Sequence, residues 1–324
     1  MNRVITRSLA YAVTCPGQGI THLGLLLPYK PYQSTFQSEL NIIDETLGNK
    51  FTEKLFDGTD KNWLLKTSNA QPAILTTSYI IYKIIERKHD VDLVQKASFL
   101  MGHSLGEYTS LLLSGIIDFP TAVSLVRKRG MLMEQAIASS SVSYGMVACL
   151  VGTRTNSEKV IDVATRNNIL GNINSYRQIV LSGELSKIKS TIAELNTGKK
   201  TILKQVLLPV EIPFHSDILR DIADQLRPMI STINSQKVPI ISNLTGKPST
   251  DAAQTVENTL QCNHQPVQWA KSMEYLQNQG ISHTANLGPG TVLSGLNKDG
   301  TNTNLDDPKS FGEVEAIFGK GSQA

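Results

Sequence analysis

A chain of 324 residues, 40% apolar and 18% charged, has the make-up of a globular protein large enough for two domains with real cores. Its formal charge of +3, with Lys and Arg scattered along the chain, is too small to imply nucleic acid as the partner. The longest apolar stretches, Ile74 to Ile85 and Ser110 to Phe119, fall short of the roughly 20 residues of a membrane helix, so no membrane partner is expected.

No acidic residue precedes Glu39, while Arg3, Arg7 and Ser8 lie near the start. That pattern resembles a short mitochondrial presequence and predicts the mitochondrial matrix, with the cytoplasm as the alternative. Ala10 to Thr14 reads as a short buried strand that runs into Cys15-Pro16-Gly17-Gln18-Gly19, a turn rich in breakers. Asn69-Ala70-Gln71-Pro72 marks a helix start, with Pro72 in the first turn and Ile74, Ile81, Ile84 and Ile85 behind it. Ala97 to Met101 is then a strand and Tyr108 to Leu113 a helix, joined through a glycine-flanked turn around Ser104. A further helix runs from Pro120 onward. Cys15, Cys149 and Cys262 are far apart and lack ligand spacing, so neither a disulfide framework nor a metal site is expected.

Between Gly145 and Pro209 the pattern changes to strand 146–151, helix 157–167, strands 169–174 and 178–182, helix 185–195 and strand 201–208. This βαββαβ order is the ferredoxin-like arrangement. It predicts an α/β protein in which a small domain, residues 142–209, is inserted into a larger discontinuous one made of residues 10–138 and 210–318.

Gly102-His103-Ser104-Leu105-Gly106 matches G-x-S-x-G, the strained strand-to-helix turn that exposes a serine Oγ. In that geometry the N–H of Leu105 points toward a developing oxyanion at the helix start. A serine nucleophile needs a base, for which histidine has the fitting proton affinity. His103 adjoins Ser104 on a turn where neighbouring side chains diverge, and His22, His89 and His264 lie in less suitable contexts. His215, after an extended segment, and His283, before a strand, both follow the serine as the base does in hydrolases, and chain order does not choose between them. Arg129 has Leu125, Val126, Leu132 and Met133 as its helical neighbours. A guanidinium on so apolar a face either extends to water or seeks an anionic partner.

Taken together, Pro16-Gly17-Gln18-Gly19, Gln71-Pro72-Ala73, Gly102 to Tyr108, Arg129-Gly130, Asn172-Ile173-Asn174-Ser175, Phe214-His215-Ser216, Pro266-Val267-Gln268-Trp269 and Gly288-Pro289-Gly290 resemble the malonyl-CoA:acyl carrier protein transacylases. The resemblance covers nearly the whole chain. It implies a large α/β-hydrolase-like domain with the inserted ferredoxin-like one, and it selects His215 as the base of Ser104. It implies an oxyanion hole from the backbone N–H groups of Gln18 and Leu105, binding of the malonyl carboxylate by Arg129, and a place for Asn174 near the substrate. Phe214 resembles the variant of its motif associated with malonyl rather than methylmalonyl groups. The family commonly has glutamine where this chain has Cys262, and the main-chain carbonyl there orients the histidine. The implied activity is ping-pong transfer of malonyl from malonyl-CoA to the phosphopantetheine thiol of acyl carrier protein, supplying fatty-acid synthesis, by a monomer with no bound cofactor. The rival expectations are a serine thioesterase, which gives the acyl group to water, and a non-catalytic subunit that binds the carrier.

Overall fold

The chain enters the fold through β1 (Tyr11–Cys15), which is buried along its whole length, as a strand covered on both faces must be. In this computed structural model residues 9–19, 22–48, 50–60 and 62–319 are described. Arg3, Arg7 and Ser8, which carry the presequence reading, lie outside them. Among the elements that frame the site, β1 is followed by α1 (Thr67–His89), β2 (Phe99–Gly102), α2 (Leu105–Leu113) and α3 (Phe119–Ala138). Next come β3 (Tyr144–Val151), α4 (Arg154–Arg166), β4 (Leu170–Ser175), β5 (Gln178–Glu184), α5 (Leu185–Leu195) and β6 (Ile202–Leu207). The last group is β7 (Ile240–Ile241), β8 (Pro248–Ser249), α6 (Ala252–Gln261), α7 (Trp269–Asn278), β9 (His283–Leu287) and β10 (Thr301–Leu305).

Two sheets result. The larger runs β10-β9-β1-β2-β7-β8, parallel except for β8, and is built from both ends of the chain. The smaller, β4-β5-β3-β6, is antiparallel and buries a core of its own, with Val147, Cys149, Ile179 and Leu181 against Val160, Ile188 and Ile192 of α4 and α5. Its order is the expected βαββαβ. The architecture is therefore an α/β-hydrolase-like core carrying a small ferredoxin-like insertion. All four strands of the smaller sheet come from the one stretch between Tyr144 and Leu207, while Met146 and Val180 also pack into the larger core.

One expectation is corrected. The first long helix begins at Thr67, so Pro72 falls in its second turn and not its first. Proline has no N–H to give to the carbonyl four residues back, here that of Ser68. Arg127 supplies the missing donor, with Nη1 at 2.6 Å from the Ser68 oxygen and 2.5 Å from Asn69 Oδ1. A helix can tolerate proline there because a neighbouring helix satisfies the orphaned acceptor.

Candidate active site

β1 and β2 are parallel and in register from Ala12 opposite Phe99 to Cys15 opposite Gly102, so both strands end on one edge of the sheet. The turns that follow them, 16–19 and 103–104, meet there, and the His103 N–H donates to the Cys15 carbonyl at 3.0 Å. Crevices outside the carboxyl ends of parallel strands are where α/β folds place their ligands. Ser104 sits at this edge with φ +52° and ψ −105°, a conformation costly for a residue with a Cβ. The flanking glycines are steric necessities: a Cβ on Gly102 would stand 1.9 Å from the Gly106 carbonyl carbon, and one on Gly106 would stand 2.1 Å from the Cys15 oxygen.

The strained turn is held by Asn243, just beyond β7. Its Oδ1 accepts the Ser104 N–H at 2.8 Å and its Nδ2 donates to the Gly102 carbonyl at 2.5 Å. At the start of α2, Gly106 and Glu107 donate back to the His103 and Ser104 carbonyls at 2.9 and 3.0 Å. The Leu105 N–H, by contrast, has no partner among the described residues, the state of a helix-start donor open to an anion.

His215 arrives from the segment after the insertion, also with positive φ, +62°. Its Nε2 lies 2.8 Å from Ser104 Oγ and its Nδ1 2.7 Å from the Cys262 main-chain oxygen. The carbonyl can only accept, so Nδ1 carries the proton and Nε2 faces the serine as an acceptor. Burial, and then the nearby Arg129 charge, depress the imidazole's proton affinity to about 3, so it is neutral near pH 7. His283 is elsewhere. It pairs with Tyr11 at the opposite, amino end of the parallel strands and bonds to Thr303 Oγ1 at 2.8 Å.

Arg129 reaches the same serine from α3, with Nη2 3.3 Å from Ser104 Oγ. Although only 2% exposed, it forms no ion pair among the described residues. Its Nε donates to Asn263 Oδ1 at 2.7 Å, and the guanidinium lies 4.9 Å from the centre of the Tyr108 ring. Glu107, the nearest acid in chain sequence to the elbow, gives no full counter-charge. Burial raises its carboxyl to about 8, so it is largely protonated near neutrality, and it accepts the Asn243 N–H at 3.0 Å.

The remaining predicted residues ring this centre. Gln18 is half-buried in the turn after β1, with its side-chain amide donating to Thr67 Oγ1 at 3.1 Å. Asn174 does not bond to Ser104; its Oδ1 lies 2.9 Å from Nε2 of His103, which packs near Trp269 and so ties β4 to the elbow. The Phe214 carbonyl accepts from Ser182 Oγ at 2.6 Å, anchoring the residue before His215 to β5. Sequence reading missed Asn243, Glu107 and Asn263. Asn243 had one visible signal, its place just after the apolar run Val238 to Ile241; Asn263 had none.

Residues 24–315 match the acyl transferase domain family. The malonyl CoA-acyl carrier protein transacylase of Escherichia coli (strain K12) is 31% identical over 294 residues, which span 89% of this chain and 92% of that one. The chain belongs to the malonyl-CoA:acyl carrier protein transacylase family. Solved structures agree with the assignment. A malonyl-CoA:acyl carrier protein transacylase from Xanthomonas oryzae pv. oryzae superposes with a TM-score of 0.84 at 27% identity, over 97% of this chain and all of that one. A malonyl-transacylase in complex with a type II PKS acyl-carrier protein superposes at 0.83 with 25% identity, over 95% and 99%. This transacylase-family chain has, among its described residues, no group of three or more His, Cys, Asp or Glu placed to hold a metal ion, and no helix long and apolar enough to cross a membrane.

Proposed function

We propose that this protein moves a malonyl group from malonyl-CoA to the phosphopantetheine thiol of acyl carrier protein through an O-malonyl ester of Ser104. The observation that carries the reading is the Arg129 guanidinium, buried against the serine hydroxyl without an acid of its own. An uncompensated buried charge is costly, and a carboxylate on the acyl group removes that cost. Guanidinium matches carboxylate with parallel hydrogen bonds that an acetyl group lacks.

In this reading Ser104 Oγ attacks the thioester carbonyl while His215 Nε2 takes its proton, and the Cys262 carbonyl holds the ring in the receptive tautomer. The free Leu105 N–H and the backbone N–H of Gln18 receive the oxyanion. Collapse breaks the C–S bond, and the CoA thiolate leaves with the proton from His215. The carrier thiol then gives its proton to His215, attacks the serine ester and takes the malonyl group, and the proton returns to Ser104 Oγ. Asn174 acts at one remove, through its hydrogen bond to His103, and Phe214 through its peptide link to His215. Ser104, His215, Arg129 and the Cys262 carbonyl all come from one chain, so a monomer suffices for the protein's part in this reading.

Intact-mass measurement after mixing with malonyl-CoA tests the reading. The expected result is a malonyl adduct on the wild type, none on Ser104→Ala, and loss of the adduct when carrier protein bearing phosphopantetheine is added. Release of free malonate at the same rate with and without the carrier would identify a thioesterase instead.

A further inference from the structure

Selecting an acyl carboxylate requires more of Arg129 than a charge, because a guanidinium that rotates about its stem presents no fixed edge. The structure fixes that rotation through one neutral side chain. Asn263, 1% exposed, accepts the Nε–H of Arg129 on Oδ1 at 2.7 Å. Its Nδ2 donates to the Leu260 carbonyl at 2.8 Å and to the Tyr108 hydroxyl oxygen at 2.9 Å. Flipping the amide would set oxygen against the Leu260 carbonyl and an N–H against the guanidinium, so its orientation is determined by its partners. The Tyr108 ring backs the guanidinium at 4.9 Å. With Nε engaged, it is an Nη group that reaches toward Ser104 Oγ.

The neutrality of the acceptor matters as much as its position. An aspartate at 263 would satisfy Nε equally well and would also neutralise the charge that the acyl carboxylate is to meet. An apolar residue would leave the charge and lose the orientation. We propose that Asn263 is a positioning residue that sets acyl selectivity, holding the uncompensated Nη edge of Arg129 toward the acyl group carried on Ser104. This rests on the malonyl-transfer reading of the site.

The test compares full-length wild type, Asn263→Leu and Asn263→Asp for Ser104 acylation by malonyl-CoA and by acetyl-CoA, with kcat and KM measured separately. In both variants the malonyl-to-acetyl ratio of kcat/KM is expected to fall at least about tenfold, chiefly through KM for malonyl-CoA. In an Arg129→Ala background, adding Asn263→Leu is expected to change the ratio less than about twofold, since it acts through the arginine. A general structural role lowers both acyl groups alike, so equal losses, or an unchanged ratio, in a variant that melts cooperatively overturn the proposal. Should Asn263→Leu fail to fold, the near-isosteric Asn263→Asp decides by the same ratio. If the wild type itself takes no malonyl on Ser104, the malonyl-transfer reading falls. If the wild type takes it and the variants keep the ratio, only the role of Asn263 falls.

Discussion

The Arg129 guanidinium comes within 3.3 Å of the Ser104 hydroxyl, whose oxygen His215 already holds at 2.8 Å. One oxygen thus meets a proton acceptor and a buried cation at once. Replacing Arg129 with alanine should lower malonyl transfer on the order of a hundredfold more than acetyl transfer, the loss expected for a charge-assisted pair in a water-poor site. Parallel kcat/KM measurements with the two thioesters check this, and equal losses would count against a role in acid recognition.

The same charge is the second cause, after burial, of the low proton affinity of His215. Removing it should therefore move the acid limb of the acylation profile to higher pH. Acetyl-CoA is the substrate to use, because it does not depend on the arginine for binding. An acid limb in Arg129→Ala that coincides with that of the wild type would contradict the electrostatic coupling.

Glu107 yields a stability test with the opposite sign to the usual acid. Its carboxyl, raised from 4.5 to about 8 in the fold, keeps its proton where the unfolded chain has lost it. The folded state then binds more protons, so its contribution is complete below about pH 4.5 and is lost as pH rises through 8. Glu107→Gln keeps a neutral side chain at every pH. Its unfolding free energy should gain on that of the wild type between about pH 5 and 8, by up to about 1.4 kcal/mol per pH unit within the window, and its melting temperature should rise with it. Melting curves that shift in parallel across this range would exclude the buried neutral acid.

Asn243 is predicted to be needed for both fold and rate. Alanine there orphans the Ser104 N–H and the Gly102 carbonyl, a cost of about 1–3 kcal/mol for each buried group. Thermal melting should show the loss, and single-turnover acylation should slow further than the stability change explains, since the φ of Ser104 is no longer held. A variant with a lower melting point but wild-type acylation would restrict Asn243 to a structural role.

Much of this was legible in the sequence because repetition and sterics leave marks. The βαββαβ insertion announced itself through strand and helix periods, and Gly102 and Gly106 are glycine because a Cβ at either would overlap backbone. The parts that their own residue types do not announce share one physical trait. The Cys262 contact to His215 is made by a main-chain oxygen, which every residue has, so only the family resemblance, and not its side chain, pointed to it. Asn243 and Asn263 act through amides brought in from 139 and 134 residues away, and asparagine in a polar stretch looks like any surface residue until the fold closes. Pro72 misled for the same reason, since the donor that rescues its helix comes from Arg127 on another helix.

The placement of the inserted sheet between Ser104 and His215 bears on how the molecule is made. The hydrogen bond between them closes a loop of 111 residues, and the carbonyl that orients the imidazole comes 47 residues later still. Contacts of such long range form late, after more local structure has reduced the entropy of closing the chain. A chain emerging from the ribosome therefore carries Ser104 long before His215 can reach it, and the insertion has time to fold on its own core. The contacts that join Ser104, His215 and the Cys262 carbonyl should therefore be complete during synthesis only once the segment around Cys262 has docked.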